Sequence, residues 1–597
     1  MKRECVGRVL LLVMLVGTLA VPDAGAQEEG LRLQQAWARL DEFVARHMKE
    51  ENVPGLALAV TSRQGLLRVK AYGWADVKAR VPVTPETLFE IGSISKSFTA
   101  ICLLQLREEG KFDPQAPVTK YLPWFKINSK FGPILGHHLL SHSGGLPRDR
   151  DDITGSRYQA AALAERWTGF APGERFYYSN IGYQTLGYLL EELRGQDYAD
   201  IIRERIFTPL GMTSTEPVIT HGTRKRLAVG YDRFYDDRPE HVSHPLVEAR
   251  WLEYGGGDGS ISATAADLAA YLRMLLNHGL PAQAGAGPSA SGLRTSAQGR
   301  ILSEESFRLL IGRVIPMNPE QEGEKTYYGY GLSIRKDDEG HEIISHGGGM
   351  VGYQSFLVGD LDAGVGAVAF INGPGSSARV ANYALRLVRA ALAGKELPAL
   401  PESDDPTQVK NAADYAGTYV SSGGAGRTLT LVAEGEKLLL EHKGERIALE
   451  RRGEDAFYVN HPDFALFPLH FGRKDKPFAE AQGKKVVEAW VGGDWYVSGA
   501  YEGPTKFEVP KEWAAYPGHY RTAHPWFSNF RVVVRKGKLW LVVPPGGQRE
   551  LVPLEGGEFR VGEEAWSPER IRFDAVVGGQ AQRATLSGCA YYRSHTP

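Results

Sequence analysis

The sequence predicts an α+β domain followed by two small all-β domains. Strand-like segments at both ends of residues 31–395 flank a helical middle, which is typical of a sheet covered by helices. Residues 397–407 contain three prolines and several acidic residues, a composition typical of a linker. Beyond the linker, short apolar runs alternate with turn residues, and one pattern of apolar and aromatic residues occurs twice.

The elements of the first domain follow from local periodicity. A helix over 31–50 is indicated by apolar residues at helical spacing, namely Leu33, Trp37, Leu40, Val44 and Met48. Alternation and β-branched content predict strands over 56–60, 66–72, 342–346, 353–359 and 364–371, and a helix over 376–393. Thr264 and Asp267 have the spacing of a capping box that begins a helix. Residues 281–300 lack periodicity and are interpreted as a flexible surface insertion.

The two all-β domains are indicated by an internal repeat. The segment Tyr415–Tyr419 recurs 101 residues later as Tyr516–Tyr520. Four further positions then recur at an offset of 102 residues, with Leu449, Phe457, Val459 and Phe471 matching Leu551, Phe559, Val561 and Phe573. We therefore predict two barrel-like domains in tandem. The predicted division is a signal peptide (1–26), an enzymatic domain (27–400), a linker (401–411) and two β domains (412–510 and 511–597).

Composition excludes several classes of protein. The 597 residues are 43% hydrophobic and 23% charged, which excludes a disordered chain. A net charge of -2 argues against a nucleic-acid partner. Of the three cysteines, Cys102 and Cys589 would remain after signal cleavage, and we expect two buried thiols in preference to one long-range disulfide. No Cys/His spacing typical of zinc is present, so no metal and no cofactor are predicted.

The N-terminal residues are typical of an export signal. Lys2, Arg3 and Arg8 accompany an apolar run over 9–20, and Ala24-Gly25-Ala26 offers a small-residue cleavage site. We therefore expect an exported protein, periplasmic or extracellular, with no stable membrane span after cleavage. An uncleaved membrane anchor is the alternative. The sequence leaves the oligomeric state open.

Ser93 and Lys96 form an S-x-x-K element at the predicted start of a buried helix. Because Ser93 and Lys96 are three positions apart, their side chains lie on one face of that helix, one turn apart. The N–H groups at the helix start would favour an oxyanion formed at Ser93, and an uncharged Lys96 could take the hydroxyl proton. The structural alternative is a capping serine beside a solvated lysine.

Two further elements carry candidate site residues. Tyr178 and Asn180 precede a helical run, where a tyrosine hydroxyl can relay a proton and an asparagine amide can orient a lysine. The alternative is a core tyrosine beside a capping asparagine. His346 is expected to end a strand before Gly347, Gly348 and Gly349, whose missing side chains let a substrate backbone approach closely.

In this order, the three elements resemble the serine β-lactamase and penicillin-binding-protein superfamily, and most closely its class C-like branch of esterases, D-aminopeptidases and DD-carboxypeptidase-like enzymes. Segments 89–92, 139–146, 254–258 and 328–332 support the resemblance, which covers about 31–395. It implies a β-lactamase/transpeptidase-like antiparallel sheet flanked by helices, with a helical subdomain. The C-terminal repeats resemble the lipocalin-like tails of some members.

The resemblance also implies site roles. Ser93 would be the acylated nucleophile, and Lys96 and Tyr178 would share the acid–base work. Asn180, His346 and Gly348 would bind substrate, and the N–H groups of Ser93 and Gly349 would form the oxyanion hole.

The resemblance implies a serine hydrolase that forms an acyl-enzyme with an ester or a D-amino-acid-containing peptide amide, a small molecule or short peptide. A penicillin-recognising β-lactamase or DD-carboxypeptidase and a non-catalytic binding protein are the alternatives. His346 replaces the lysine of the Lys-Thr-Gly form of the third motif. Because an unperturbed histidine titrates near about pH 6.5, we expect carboxylate substrates to bind more weakly as pH rises from about 5.5 to 8.

Overall fold

The computed structural model describes residues 24–148, 156–281, 299–319, 325–403, 405–421, 426–473 and 485–595. Residues 1–23, which hold most of the predicted signal peptide, and residues 282–298 of the predicted insertion lie outside this range. None of the helices in the described residues combines the length and the apolar character needed to cross a bilayer.

An antiparallel sheet forms the centre of the first domain. Nine strands of the described residues form it. From one edge of the sheet to the other, their order is β3, β2, β1, β13, β12, β11, β10, β9 and β8. The strands that precede the barrels are β1 Gly55–Ser62, β2 Leu66–Asp76, β3 Val81–Pro82, β4 Phe89–Glu90, β5 Tyr231–Arg233, β6 Leu246–Glu248, β7 Ser262–Ala263, β8 Ile315–Pro316, β9 Tyr327–Tyr328, β10 Ser333–Lys336, β11 Glu342–Met350, β12 Tyr353–Asp360 and β13 Val365–Ile371.

Helices cover both faces of this sheet. The α-helices of the described part of this domain are α1 Ala24–Glu51, α2 Ser95–Glu108, α3 Gly136–Leu140, α4 Ser156–Ala161, α5 Asn180–Arg194, α6 Tyr198–Ile202, α7 Thr208–Leu210, α8 Ala265–Leu276, α9 Glu304–Leu310 and α10 Ser377–Leu392. The apolar faces of α1 and α10 pack on one side of β1 and β13, and α2 and α8 belong to the core on the other side. Because both of their faces are covered, β1 and β13 are buried along their whole length.

Two closed barrels follow, as the repeat predicted. The first comprises β14 Gly417–Ser421, β15 Thr428–Glu434, β16 Lys437–His442, β17 Glu445–Gly453, β18 Ala456–Val459, β19 Leu469–Arg473, β20 Val486–Val491 and β21 Asp494–Val497. The second comprises β22 Gly518–Arg521, β23 Asn529–Arg535, β24 Lys538–Val542, β25 Gln548–Pro553, β26 Glu558–Val561, β27 Arg570–Val577, β28 Gln580–Leu586 and β29 Cys589–Ser594. The repeated residues Leu449 and Leu551 lie in the cores of their respective barrels.

Local sequence reasoning was wrong on two details. The strand that carries His346 does not end there, because β11 continues through the three glycines to Met350 and pairs with β12 along its length. The capping box is half formed. The Thr264 hydroxyl accepts from the Asp267 N–H, whereas the Asp267 carboxylate accepts from Ser214 and Thr215. Cys102 and Cys589 are both buried and form no disulfide with each other, as expected.

The segment between the first domain and the barrels is anchored by backbone contacts. The Arg39 guanidinium of α1 donates to the carbonyls of Leu397 and Pro398 at 2.8 and 3.0 Å. The first barrel contacts the first domain through Glu450 Oε1, which lies 3.1 Å from His241 Nε2. The linker and the first barrel therefore both contact the first domain directly.

Candidate active site

Ser93 lies on a single 3-10 turn, Gly92–Ile94, that leads into α2. Gly92 has φ +50°, and a Cβ at this position would lie 2.7 Å from the Gly349 carbonyl oxygen. A side chain at Gly92 would be strained and would collide with the neighbouring strand. Glycine therefore lets the Ser93 turn pack directly against β11.

Lys96 is completely buried, and its ammonium nitrogen has three oxygen neighbours. Nζ lies 3.0 Å from Ser93 Oγ, 2.7 Å from Asn180 Oδ1 and 2.8 Å from the Asp258 carbonyl oxygen. A solvated lysine, the structural alternative raised by the sequence, is therefore wrong. In its uncharged form, the amine can donate to Asn180 and Asp258 while its lone pair accepts from the Ser93 hydroxyl.

Asn180 is the first residue of α5, and Ser179 caps that helix by accepting from the Gly182 N–H. The alternative in which Asn180 is the cap is therefore wrong. Because Ser179 performs the capping, the Asn180 side chain is available to Lys96. The expected asparagine–lysine contact is present.

Tyr178 lies beside the same lysine. Its ring centroid is 4.9 Å from Lys96 Nζ, and 4.1 Å from the ring centroid of His142. The His142 Nδ1 atom accepts from the Ser179 N–H, and burial together with the charge of Lys96 holds the pKa of His142 well below its usual range. The neutral imidazole of His142 therefore packs against the ring of Tyr178.

His346 lies in the site, but its surroundings differ from the expectation. Nδ1 lies 2.6 Å from the Gly347 carbonyl oxygen and Nε2 lies 2.9 Å from the Tyr328 hydroxyl, so both ring nitrogens are engaged. Burial and the charge of Lys96 lower the pKa of His346 to about 4. The imidazole is neutral between pH 5.5 and 8, which contradicts the expected charge-dependent binding of carboxylates in that interval.

Gly348 and Gly349 have different surroundings. A Cβ at Gly348 would lie only 1.9 Å from the Ile91 carbonyl oxygen, so this position is closed against the segment before Ser93. A Cβ at Gly349 would meet nothing closer than Gln354 Oε1 at 4.0 Å, and Gly349 lines the cavity that also holds Ser93. The backbone at Gly349 therefore borders the cavity of Ser93, whereas Gly348 packs against the segment before Ser93 and does not line that cavity.

A cavity of about 490 Å³ contains the nucleophile. Ser93, Asn180, Asp258 and Gly349 line it on the side of the first domain. The opposite wall belongs entirely to the second barrel and the segment before β23: His524, Trp526, Phe527, Leu541, Arg549, Val561, Glu569, Leu586, Ser587, Cys589 and Tyr591. The site therefore lies between two domains.

Comparison with known proteins identifies the family. The model of the Beta-lactamase family matches residues 40–390, which is more than half of the chain. The chain belongs to the beta-lactamase family. Penicillin-binding protein 4* of Bacillus subtilis (strain 168) is 28% identical over 311 residues, which are 49% of this chain and 62% of the relative. Protein flp of Staphylococcus aureus (strain N315) is 29% identical over 203 residues, 32% of this chain and 41% of that protein.

A solved structure supports the fold over a longer range. The octameric penicillin-binding protein homologue from Pyrococcus abyssi has a TM-score of 0.54 and 25% identity, and the match covers 77% of this chain and 99% of that chain. Because this chain spans about two fifths of the length of the flp relatives, their whole activities do not transfer to it. The serine β-lactamase and penicillin-binding-protein superfamily and its fold are thus confirmed.

Sequence reasoning missed several residues of this beta-lactamase-family site. The Asp258 carbonyl contacts Lys96 across 162 residues of sequence, and only the glycine run before it hinted at a close approach. His142 lies in a segment that was used for the resemblance but carried no predicted role. No local signal indicated that Arg549 and Glu569 line the same cavity as Ser93.

Two clusters of the described residues have metal-like geometry: His442, His461 and Asp463, and Asp337, His341 and Asp360. Lys443 Nζ lies 2.7 Å from the Asp463 carboxylate, and Arg389 binds both aspartates of the second cluster. These cations already neutralise the carboxylates, and neither cluster lines the cavity of Ser93.

Proposed function

We propose that this protein is an exported serine hydrolase that acts through an acyl-enzyme on an ester or a D-amino-acid-containing peptide amide. The observation that carries the proposal is the buried amine of Lys96, held by Asn180 and the Asp258 carbonyl against the Ser93 hydroxyl. Family membership supports the same chemistry. We also propose the division into an enzymatic domain (27–400), a linker (401–411) and two β domains (412–510 and 511–597).

The reaction proceeds in two stages. Ser93 Oγ attacks the substrate carbonyl carbon while its proton passes to Lys96 Nζ, and the oxyanion is held by the N–H groups of Ser93 and Gly349. The bond to the leaving group then breaks, and Lys96 and Tyr178 return the proton to the departing oxygen or nitrogen. Water, activated by the same pair, attacks the acyl carbon and releases the acid and free Ser93.

His346 and Gly348 act as positioning residues in this proposal. The neutral imidazole holds Tyr328 and the Gly347 carbonyl, and Gly348 packs the strand against the nucleophile turn. A fixed lysine charge is absent from this position, so His346 supplies no cation for the carboxylate of a penicillin.

Covalent labelling tests the proposal. A fluorescent fluorophosphonate should label the wild type, with the adduct on the Ser93 peptide in mass spectrometry. Ser93→Ala should abolish labelling and turnover, whereas Ser95→Ala, whose hydroxyl accepts from the Ile261 N–H, should retain both. An adduct elsewhere contradicts the assignment. Labelling by fluorescent penicillin at a comparable rate would favour the penicillin-recognising alternative, and no labelling would favour the binding protein.

Export is tested separately. We expect the mature protein recovered outside the cytoplasm to begin at Gln27, as N-terminal sequencing would determine. Retention of residues 1–26 on a membrane-bound protein would support the anchor alternative.

A further inference from the structure

The second barrel presents apolar side chains to the cavity of Ser93. Leu541, Cys589 and Tyr591 belong to the buried core of that barrel, and all three line the cavity. Val561 and Leu586 pack against the same core and line the cavity too. The wall opposite the nucleophile is therefore the end of a hydrophobic barrel core.

Trp526 extends this apolar wall toward the first domain. Its side chain is 38% exposed, and its ring lies 6.2 Å from that of Tyr254, which also lines the cavity. A large apolar side chain that stays exposed inside a cavity is a feature of ligand-binding sites.

Arg549 supplies a cation in the same wall. It is exposed, it pairs with Leu541 across β24 and β25, and among the described residues it takes part in no ion pair. Burial and the charge of Glu569 raise the pKa of the Tyr177 hydroxyl, and the charges of Arg148 and then Arg549 oppose this rise, so both guanidinium groups act on the cavity wall that holds Tyr177.

The described acidic groups of the cavity are already engaged. Glu569 Oε1 accepts from the Arg148 N–H at 2.8 Å and from the Tyr177 hydroxyl at 3.0 Å, and its other oxygen accepts from Ser587. The Asp258 carboxylate accepts from the Tyr254 hydroxyl at 2.7 Å. His524 has its pKa lowered to about 4 by burial and is neutral. Arg549 therefore remains available to an anion.

We propose that the end of the second barrel is the substrate-binding wall of the hydrolase, and that it selects an apolar chain bearing a carboxylate that pairs with Arg549. The inference rests on the proposed function, because it names the substrate class of the same site. An apolar chain would contact Trp526, Val561 and Leu586, while a guanidinium offers a carboxylate two parallel N–H donors. The favoured substrate is thus an anionic amphiphile with its ester or amide bond at Ser93.

The test uses the full-length wild type and small ligands that are not hydrolysed. Octanoate, its neutral analogue octanamide and the shorter butanoate are titrated calorimetrically, and as inhibitors of 4-nitrophenyl acetate hydrolysis. We expect octanoate to bind about tenfold more tightly than octanamide. Binding should strengthen roughly two- to fourfold per methylene from butanoate to octanoate.

Variants separate the charge from the apolar wall. Arg549→Ala should bring octanoate and octanamide to nearly equal affinity, and Arg549→Lys should restore part of the difference. Arg572→Ala removes an exposed guanidinium from the same barrel outside the cavity and should change neither ligand. Trp526→Ala should weaken both ligands alike, by about threefold.

Two results would overturn the inference: equal binding of octanoate and octanamide to the wild type, or an unchanged preference in Arg549→Ala. Failure of the proposed function is distinguishable, because it appears as retained hydrolysis or labelling in Ser93→Ala, whereas calorimetry requires no turnover.

Discussion

The two barrels share a strand order and a repeated core, yet among their described residues only those of the second line the cavity of Ser93. Each carries a glutamate that reaches the first domain. Glu450 of the first barrel contacts His241, whereas Glu569 of the second contacts Arg148 and Tyr177 at the cavity of Ser93. The two barrels have the same fold, but their positions on the first domain differ, and only the position of the second gives it a part in the candidate site.

The largest expected effect belongs to neither barrel. If the chemistry resides in the first domain, Lys96→Ala and Tyr178→Phe should each lower kcat by about 10²–10⁴ on any ester. Because the two groups share one proton path, the double variant should lose far less than the product of the single losses. Steady-state and burst kinetics measure this, and a fully multiplicative loss would contradict the shared path.

Removal of both barrels should weaken ligand binding while ester hydrolysis at Ser93 continues. We expect residues 27–400 alone to hydrolyse 4-nitrophenyl acetate at nearly the full-length rate. The affinity of this fragment for octanoate should be roughly tenfold lower than that of the full-length protein. The measurements are kcat/KM and octanoate inhibition, with circular dichroism to verify folding. A folded fragment without esterase activity would show that the second barrel completes the catalytic site itself.

Substitution of Glu569 and of Glu450 compares the two barrels at single residues. Glu569→Ala removes acceptors from the Arg148 N–H and the Tyr177 hydroxyl, and should raise KM for a long-chain ester by roughly 10–150-fold, since hydrogen bonds to a charged group are worth about 1.5–3 kcal/mol. Glu450→Ala should leave kcat and KM unchanged and shift only the thermal midpoint. An equal change in KM in both variants would contradict the proposal that the second barrel, and not the first, contributes to the site.

The smallest effect concerns the pH dependence of stability. The folded-state pKa of His346 is lowered to about 4 by burial, so its contribution to stability is complete above the unfolded value near 6.5 and is lost as pH falls toward 4. His346→Gln should flatten the fall in unfolding free energy between pH 6.5 and 4 by about 1–3 kcal/mol. Denaturant titrations at several pH values measure it, and an unchanged slope would contradict the neutral, buried imidazole.

Catalytic pH profiles supply the independent check on that histidine. The rate with a neutral ester should show no inflection from His346 between pH 5.5 and 8, because the imidazole is already neutral there. An inflection near pH 6.5 in the wild type that disappears in His346→Gln would contradict the buried state.

Local sequence determined the parts of the site that lie within one turn or one strand. The spacing of Ser93 and Lys96 places both on one helical turn, and the missing Cβ atoms around Gly348 allow a close approach of two backbone segments. The repeat at 101–102 residues likewise predicted two β domains, because identical apolar patterns bury identical cores.

Only the tertiary structure decided which acceptors hold Lys96, which charge state His346 adopts and which barrel faces Ser93. The Asp258 carbonyl and Arg549 come from distant parts of the chain and carry no local signal. The pKa of His346 depends on burial and on Lys96, which are properties of packing and not of residue type. Sequence thus determined the reacting groups, and long-range packing determined their environment.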